Sequence, residues 1–273
     1  MIEAKAQQKT ALLTGASSGI GKAAALALTG AGYRVIGSSR TASLDEVRDG
    51  IRLIACDVTS EESVAAAVAQ AHAELGRIGL LVNNAGYAVL GAAEESSIEQ
   101  VRSLLDTNFL GCVRVTNAVL PIMRQQGSGR ILNIGSVFGV IPGPYGAYYA
   151  ASKHAIEGYS ESLDHEVRQL GIRVAVIEPW ATKTFIQANS PRADRPIAAY
   201  APTLLRYRAA FDAAMAAGDT AENVAATIVT AAKDRSPRLR YPSGKDARQT
   251  SFARRFLPRS LFDWIMRKQF NIA

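Results

Sequence analysis

Tyr149 and Lys153 lie four residues apart in the sequence, and Ser136 lies thirteen residues before the tyrosine. On a helix, residues i and i+4 share one face, so we expect the phenol and the ammonium side by side. The cation favours the phenolate and predicts a pKa for Tyr149 below the usual value of about 10. A tyrosine tuned in this way can act as a general acid or base, while Ser136 can donate a hydrogen bond to the same substrate oxygen. The three residues predict proton exchange at a carbonyl or alcohol oxygen.

A Tyr-x-x-x-Lys pair also arises by chance on solvated helix faces, so the prediction needs a second motif. Tyr148 is adjacent, but the residue four positions after it is Ser152, which leaves Tyr149 as the candidate.

A glycine-rich turn between an apolar segment and a helical segment supplies that second motif. Residues 10–14 are mostly apolar, Gly15, Gly19 and Gly21 follow, and residues 22–29 are rich in alanine and leucine. Gly15 suits a tight turn, Gly19 lets a pyrophosphate approach the backbone, and Gly21 allows close packing of helix on strand. The spacing differs from the common G-x-G-x-x-G pattern, but the strand–turn–helix context predicts a phosphate cradle.

The end of the second predicted strand bears on the choice of dinucleotide. NAD sites usually place an acidic residue there for the ribose 2′-hydroxyl, whereas NADP sites often place an arginine nearby. Residues 37–41 read Gly-Ser-Ser-Arg-Thr, so Arg40 lies in this region and no carboxylate does. A guanidinium can bind a phosphate through two parallel hydrogen bonds, and the hydroxyls of Ser18 and Ser39 can add to them. The pattern favours NADP(H) over NAD(H). An NAD-dependent alcohol dehydrogenase is the alternative if Arg40 is only a solvated loop residue.

Five motifs occur in a fixed order: residues 14–21 (Thr-Gly-Ala-Ser-Ser-Gly-Ile-Gly), residues 83–86 (Asn-Asn-Ala-Gly), Asn108, Ser136, and Tyr149 with Lys153. In these motifs the chain closely resembles the short-chain dehydrogenase/reductase family, over about residues 9–185 and more loosely to about 241. Residues 151–158 are similar to the branch of 17-beta-hydroxysteroid and retinol dehydrogenase-like oxidoreductases, which act on apolar alcohols. The resemblance implies an α/β fold: a Rossmann-type doubly wound parallel sheet of about seven strands with helices on both faces.

The resemblance also implies a role for each catalytic residue. Tyr149 would donate a proton to a carbonyl or accept one from an alcohol, and Lys153 would lower its pKa and bind the nicotinamide ribose. Ser136 would hold the substrate oxygen, and Asn108 would hold a water that relays protons through Lys153. The implied function is an NADP(H)-dependent oxidoreductase that interconverts a carbonyl and an alcohol. A non-catalytic nucleotide-binding regulatory protein is an alternative, against which the intact trio argues.

The cofactor groove follows from the same resemblance. Asp57 and Val58 would contact the adenine, and Pro179 to Thr184 match a segment near the nicotinamide amide, in which Trp180 replaces the usual glycine. The full implied set is Gly15, Ser17, Ser18, Gly19, Ile20, Gly21, Arg40, Asp57, Val58, Asn84, Ala85, Gly86, Tyr149, Lys153, Pro179, Thr182 and Thr184.

Short strands and helices alternate along the chain, a pattern typical of a parallel doubly wound sheet. Strands are predicted near residues 10–14, 33–38, 51–55, 79–83, 130–135, 172–178 and 238–241, and the clearest helices at 60–75, 98–124 and 148–169. In such a sheet the ligand crevice lies beyond the carboxyl ends of the strands. Gly15, Arg40, Asp57, Asn84 and Ser136 all follow such ends, so the motifs and the fold agree on one edge.

Two segments of this single domain, residues 1–273, differ from the rest. Residues 185–218 are rich in alanine, with three prolines and bulky apolar residues, and predict either a substrate-covering lid or a peripheral helix pair. Residues 242–273 predict a basic amphipathic extension; residues 232–273 hold eleven Lys or Arg and three Asp. Because a helix with one apolar face normally buries it, packing on the body or a second subunit is favoured. Contact with a membrane surface or an anionic substrate carrier is the less favoured alternative.

Composition narrows the class of protein. The chain has 273 residues, of which 48% are hydrophobic and 20% charged, as in globular domains. Residues 1–10 lack a secretory apolar core, no apolar stretch approaches the ~18 residues that span a bilayer, and two cysteines give no disulfide framework. A cytoplasmic location is therefore expected.

Residue spacing, net charge and recognisable motifs also limit the classes of partner that the chain is expected to bind. No cluster of His, Cys and carboxylates has metal-ligand spacing, so no metal is expected. The net charge of +7 alone does not predict nucleic-acid binding, and no such module is recognisable. The resemblance implies a small-molecule substrate and a homodimer or homotetramer formed through the helices at 98–124 and 148–169.

Overall fold

A computed structural model describes residues 8–43, 46–183 and 190–272, and strands and helices alternate along it. Numbered in chain order, the strands are β1 (Lys9–Leu13), β2 (Tyr33–Ser39), β3 (Val47–Arg48), β4 (Ile51–Ala55), β5 (Leu80–Asn83), β6 (Gly129–Ile134), β7 (Ile172–Pro179), β8 (Thr182–Lys183), β9 (Asp219–Thr220) and β10 (Arg240–Ser243). The α-helices are α1 (Gly19–Gly30), α2 (Glu61–Leu75), α3 (Ile98–Leu105), α4 (Gly111–Gln126), α5 (Ala147–Val167), α6 (Ala201–Ala217), α7 (Ala221–Lys233), α8 (Gly244–Phe256) and α9 (Arg259–Gln269).

Within the described residues, eight strands form one sheet in the order β10-β7-β6-β5-β1-β2-β4-β3. All neighbours are parallel except β3, which runs antiparallel to β4. The seven parallel strands are those that the sequence predicts, and the doubly wound fold is confirmed. β3 is an addition: Asp49 and Gly50 have φ of 52° and 79° and turn the chain directly into β4. An Asp-Gly dipeptide signals this kind of hairpin, because a two-residue turn of this type needs positive φ at both positions.

Helices cover both faces of the sheet. Ala11 and Leu13 of β1 pack in a core that also contains Leu28 of α1 and Ile228 of α7. Leu12, between them, packs in a second core with residues of α2, α4 and α5. This alternation follows from the two-residue period of a strand that is buried on both sides.

The order of the strands creates a crevice at one edge of the sheet. The neighbours of β1 are β2 on one side and β5 on the other, so the chain continues in opposite directions from this point. Doubly wound sheets bind ligands where the strand order reverses, outside the carboxyl ends of the strands.

The helix predicted over residues 98–124 is interrupted. A single π-helical turn, Asp106–Leu110, separates α3 from α4. At its centre the buried Asn108 side chain accepts a hydrogen bond from the Tyr87 N–H (3.0 Å) and donates one to the Tyr87 carbonyl (2.8 Å). Such a turn inserts one extra residue into a helix and often marks a functional position.

A small parallel pair, β8 with β9, lies apart from the main sheet and brings the ends of the segment containing α6 together. The Asp219 N–H donates to the Ala181 carbonyl at 2.9 Å in the same region. Residues 184–189, which include Thr184 and the first part of the predicted lid, lie outside the described residues. Of the helices that the structure describes, none combines the length and apolarity needed to cross a membrane.

Candidate active site

A cavity of about 730 Å³ opens at the carboxyl edge of the sheet. Its walls come from the segments that follow six of the parallel strands, together with α5, α6 and the end of the chain. Among the predicted site residues, the walls include Gly15, Ser17, Ser18, Gly19, Ile20, Arg40, Val58, Asn84, Ala85, Gly86, Ser136, Tyr149, Lys153, Pro179 and Thr182. The chain therefore gathers most of the predicted residues around one space.

The glycine-rich turn enters this cavity from β1. Gly15 and Gly19 have φ of +68° and +54°, in the left-handed region that favours glycine. A Cβ at Gly21 would lie 2.1 Å from the Gly15 carbonyl oxygen, so no larger residue fits without moving the backbone. The turn thus holds the N-terminus of α1, with its unpaired N–H groups and partial positive charge, at the cavity.

Asn84 fastens the end of β5 to this turn. Its side-chain amide donates to the carbonyls of Thr14 and Gly15, both at 3.0 Å. In return, the Thr14 hydroxyl accepts hydrogen bonds from the N–H groups of Asn84 (3.0 Å) and Ala85 (3.1 Å). The amide of Asn84 is thereby committed to holding the turn in shape.

Arg40 is exposed at the end of β2 and lines the cavity. The hydroxyls of Ser39 and Thr41 flank it and lie 3.3 Å from each other. A cation beside two hydroxyls matches the chemistry of a phosphate site.

Asp57 follows β4 close to this cation but does not form part of the cavity wall. Its carboxylate accepts hydrogen bonds from the backbone N–H (2.9 Å) and the hydroxyl (2.8 Å) of Thr59. These two bonds, followed by the charges of Arg40 and Arg114, hold the pKa of Asp57 below its usual value. The neighbouring Val58 lines the cavity, so at this corner an apolar side chain meets the space.

Ser136, Tyr149 and Lys153 meet where β6 and α5 approach each other. Tyr149 and Lys153 lie one turn apart on α5, with the Lys153 ammonium 5.6 Å from the centre of the phenol ring. Lys153 is 6% exposed, and its Nζ donates to the Ile134 carbonyl at 2.7 Å. The Ser136 hydroxyl accepts from the Phe138 N–H (3.2 Å) and is within hydrogen-bonding reach of Tyr149.

The expectation that Tyr149 has a lowered pKa is wrong for this structure. Burial of the phenol raises the pKa of Tyr149 above 10, although its hydrogen bond to Ser136 acts in the opposite direction. The same burial lowers the pKa of Lys153 to about 8. Loss of hydration disfavours the charged form of each group, and helical spacing alone does not reveal that cost.

Asn108 lies behind this trio and does not line the main cavity. Besides its bonds to Tyr87, its amide donates to the Ser152 hydroxyl at 3.2 Å. Asn108 and Lys153 both line a separate cavity of about 10 Å³. That volume is close to the minimum, about 10–15 Å³, that a single water requires.

The remaining wall of the main cavity is aromatic. Phe138 lies 5.8 Å from Trp180 and 6.2 Å from Phe270, measured between ring centres. Tyr207 of α6, which is 1% exposed, lies 5.5 Å from Phe270 and 5.7 Å from Phe211. Trp180, where the resemblance led us to expect glycine, is thus an apolar part of the wall.

Sequence reasoning assigned neither Phe138 nor Phe270 to this wall, and the one that lies farther along the chain from the motifs is Phe270. It follows α9, is 1% exposed, and reaches the cavity because Phe262 and Met266 of the same helix pack against Val137 and Ile141. The sequence signal was the apolar face of the C-terminal helix, which shows that a helix packs but not what it packs against.

A buried charge cluster supports the Ser136 loop from behind. Glu157 of α5 and Glu178 of β7 are 5% and 1% exposed, and both lie near the guanidinium of Arg240, at 2.9 and 3.5 Å from its Nε. A Cβ at Gly135 would lie 3.0 Å from the Glu157 carboxylate, so the carboxylate lies directly against the loop that carries Ser136. Among the described residues, no group of three or more His, Cys, Asp or Glu side chains is placed to hold a metal ion.

Comparison with known proteins gives consistent similarities. Residues 9–195 match a family model described as short chain dehydrogenase. A 3-ketodihydrosphingosine reductase of Bacteroides thetaiotaomicron is 44% identical over 173 residues, which are 63% of this chain and 64% of that protein. A crystal structure of a short-chain dehydrogenase from Streptomyces avermitilis has a TM-score of 0.80 and 32% identity, over 97% of this chain and 98% of the other. A short chain dehydrogenase/reductase from Burkholderia phymatum in complex with NAD has a TM-score of 0.73 and 25% identity, over 86% and 89% of the two chains.

Proposed function

This chain belongs to the short-chain dehydrogenase family, and on that premise we propose that it is an NADP(H)-dependent oxidoreductase that interconverts a carbonyl group and a primary or secondary alcohol on an apolar substrate. The observation that carries the proposal is the meeting of Ser136, Tyr149 and Lys153 in the same cavity as the glycine-rich turn and Arg40.

The walls of this cavity fit a nicotinamide dinucleotide. A pyrophosphate would lie against the N-terminus of α1, where a Cβ at Gly21 would push the Gly15 carbonyl out of place. Arg40, with the hydroxyls of Ser39 and Thr41, would bind the phosphate that distinguishes NADP from NAD. When bound, the nicotinamide supplies or accepts the hydride.

Tyr149 is the proton donor in the proposed reduction. Its raised pKa keeps the phenol protonated at neutral pH, which is the form that an acid needs. Ser136 donates a hydrogen bond to the same carbonyl oxygen, and the Lys153 ammonium stabilises the phenolate after the proton has left. The small cavity between Asn108 and Lys153 would hold the water through which the proton is replaced.

The substrate in this proposal is a ketone attached to a long apolar group. The aromatic wall of Phe138, Trp180, Tyr207 and Phe270 would bury such a group favourably. The name of the Bacteroides relative, a reductase of 3-ketodihydrosphingosine, supports a long-chain ketone. Because that match spans 64% of the relative, the whole activity is part of the proposal.

The same proposal includes a homodimer or homotetramer formed through α4 and α5, in the reducing cytoplasm. Cys56 and Cys112 are buried free thiols, as that compartment allows. Sedimentation equilibrium of the purified chain would give the number of subunits, and a monomer at micromolar concentration would contradict the oligomer.

Two adjacent tyrosines provide the test of function. Tyr149→Phe should lower kcat for reduction of 3-ketodihydrosphingosine with NADPH by at least about 100-fold, because the general acid is lost. Binding of NADPH, followed by its fluorescence, should change little. Tyr148→Phe is the matched control, since the Tyr148 hydroxyl donates to the Ala93 carbonyl at 3.0 Å and lies outside the cavity wall. Equal turnover in the two variants would refute the role of Tyr149.

The choice of cofactor is tested at Arg40. Arg40→Ala should raise KM for NADPH by about 10- to 100-fold, the effect of losing a hydrogen bond to a charged group, and leave KM for NADH nearly unchanged. Arg34→Ala, at the other end of β2, is the control and should affect neither. Equal effects of Arg40→Ala on both cofactors would favour the NAD-dependent alternative.

A further inference from the structure

The C-terminal extension, residues 242–273, has a second apolar face that the body of the protein does not cover. Phe252, Phe256, Leu261 and Trp264 are 65%, 62%, 43% and 57% exposed. Among the described residues, ten large hydrophobic side chains are exposed, and every aromatic one belongs to this extension. Isolated exposed leucines are ordinary, but a group of exposed aromatic side chains marks an interaction surface.

The two helices of the extension show why both faces are apolar. On α9, Phe262 and Met266 are buried against the body, and Trp264 lies two residues from each, near the opposite side of the helix. On α8, Ala247 is buried, while Phe252 and Phe256 lie one turn apart with ring centres 4.5 Å from each other. Each helix therefore packs through one side and presents aromatic rings on another.

Cations accompany these exposed rings. The Lys268 ammonium lies 5.1 Å from the Trp264 ring centre, and the Arg255 guanidinium lies 5.7 Å from that of Phe256. Residues 242–273 hold seven Lys or Arg and two Asp, a net charge of +5 out of +7 for the chain. One of the two acids, Asp263, is paired with Arg267 at 3.1 Å.

From this combination we propose that the exposed face of α8 and α9 binds the surface of an anionic lipid bilayer. Arginine and lysine bind anionic headgroups, while tryptophan and phenylalanine enter the boundary between headgroups and acyl chains. A symmetric contact with a second copy would bring the same positive charges together, which opposes that alternative.

The exposed face of α8 and α9 lies on the same segment of chain that supplies Phe270 to the cavity wall. The end of α9 carries Phe270 into the cavity wall, so the helix that lies on the lipid surface also forms part of the substrate chamber. An apolar substrate that partitions into the bilayer would then be concentrated beside the chamber. The binding itself does not depend on which reaction the chamber performs.

Cosedimentation with vesicles tests the proposal on the full-length protein. We expect recovery with vesicles of phosphatidylcholine and phosphatidylserine and little recovery with pure phosphatidylcholine. Arg255→Glu/Lys268→Glu should weaken the partition coefficient by at least about 25-fold, at about fivefold for each basic residue near an anionic surface. Arg102→Glu/Arg235→Glu makes the same change of net charge at exposed positions elsewhere and should lower binding much less.

Aromatic variants separate insertion from simple attraction of charge. Phe256→Ser/Trp264→Ser should lower binding to the mixed vesicles, whereas Val47→Ser/Ile98→Ser, at side chains that are 63% and 57% exposed, should not. Equal recovery on both vesicle types, or equal losses in control and test pairs, would overturn the proposal. So would self-association in sedimentation velocity that Phe256→Ser/Trp264→Ser abolishes, because the occupant would then be a second copy. Turnover of a short water-soluble ketone should be unchanged in all four variants. The vesicle measurement itself requires no turnover, so its result is independent of the proposed reaction.

Discussion

Replacing Glu178 by glutamine should make the protein more stable above pH 7 and remove a pH dependence of its folding. Glu178 is 1% exposed; its Oε2 accepts from the Ser251 hydroxyl at 3.4 Å, and its Oε1 lies 3.5 Å from Arg240 Nε, which also binds Glu157. Two buried carboxylates thus share one guanidinium. Burial first, and then the charge of Glu157, raises the pKa of Glu178 from 4.5 to about 7, although Arg240 and Ser251 act in the opposite direction.

The size of the effect follows from the two pKa values. In the unfolded chain Glu178 loses its proton near pH 4.5, whereas in the folded chain it keeps the proton up to about pH 7. Between these values the folded state binds more protons, so the free energy of unfolding falls as pH rises. The difference between the two pKa values corresponds to a loss of about 3 kcal/mol in the free energy of unfolding, at about 1.4 kcal/mol per pH unit. The whole of this loss is present above pH 7. Below pH 4.5 it vanishes, because the group is protonated in both states.

Urea unfolding at several pH values between 5 and 8 measures this difference. Relative to wild type, Glu178→Gln should gain up to about 3 kcal/mol between the two ends of the range, or roughly 5–10 °C in Tm. Glu161→Gln is the control: its carboxylate binds the same Arg240 at 3.0 Å, but its side chain is 48% exposed, so the change should stay below about 1 kcal/mol. Parallel pH profiles for wild type and Glu178→Gln would refute the reasoning.

Three further substitutions test the packing of the site and the stability of the fold around it. Gly21→Ala should destabilise the fold by about 1–3 kcal/mol and weaken NADPH binding in a fluorescence titration, because its Cβ would meet a backbone oxygen. Gly30→Ala, at the end of the same helix, meets nothing within 4 Å and should be neutral or slightly stabilising. Phe270→Ala should lower the free energy of unfolding by about 3 kcal/mol. In steady-state kinetics without lipid it should raise KM for a long-chain ketone more than for a short one. Phe256→Ala, at a 62% exposed ring, should change neither quantity under these lipid-free conditions. Asp164→Asn should lower the free energy of unfolding, measured with urea, by about 2 kcal/mol at pH 7 and by less at pH 3. Burial opposes the Asp164 charge, but hydrogen bonds, first from Arg173, outweigh it and lower the pKa from 3.8 to about 2, so this stability is lost as pH falls through that range.

The features predicted well from the sequence are those whose signal is local. The parallel strands are short apolar segments followed by turn residues, and the glycine-rich turn needs only one strand and one helix to be recognised. The hairpin of β3 also had a local signal, Asp49-Gly50, which the coarse pattern of alternating strands and helices passed over. The π-helical turn at Asn108 had no local signal, and the hydrogen-bond partner of the Asn108 side chain, Tyr87, lies 21 residues away.

The pKa of Tyr149 shows where local reasoning fails. The spacing of Tyr149 and Lys153 predicted their proximity correctly, but the direction of the shift depends on how much protein surrounds the phenol. That quantity comes from β6, the Ser136 loop and α5 packing together. Likewise, Arg240 of β10 lies between two carboxylates, Glu157 of α5 and Glu178 of β7. These residues are far apart in the sequence, and their spacing does not predict the contact.

The cavity has a dinucleotide side and an apolar side, and similarity to known proteins is more informative about the first than about the second. The dinucleotide side is formed by short motifs, each of which places its own backbone, so similarity over residues 9–195 bears directly on it. On the apolar side, Phe138 and Trp180 lie within that match, but Tyr207 of α6 and Phe270 lie beyond it and reach the cavity through packing. A relative that shares the motifs but not these two residues could bind the same cofactor and a different substrate. The identity of the substrate is therefore better sought by varying Tyr207 and Phe270 than by comparing the motifs further.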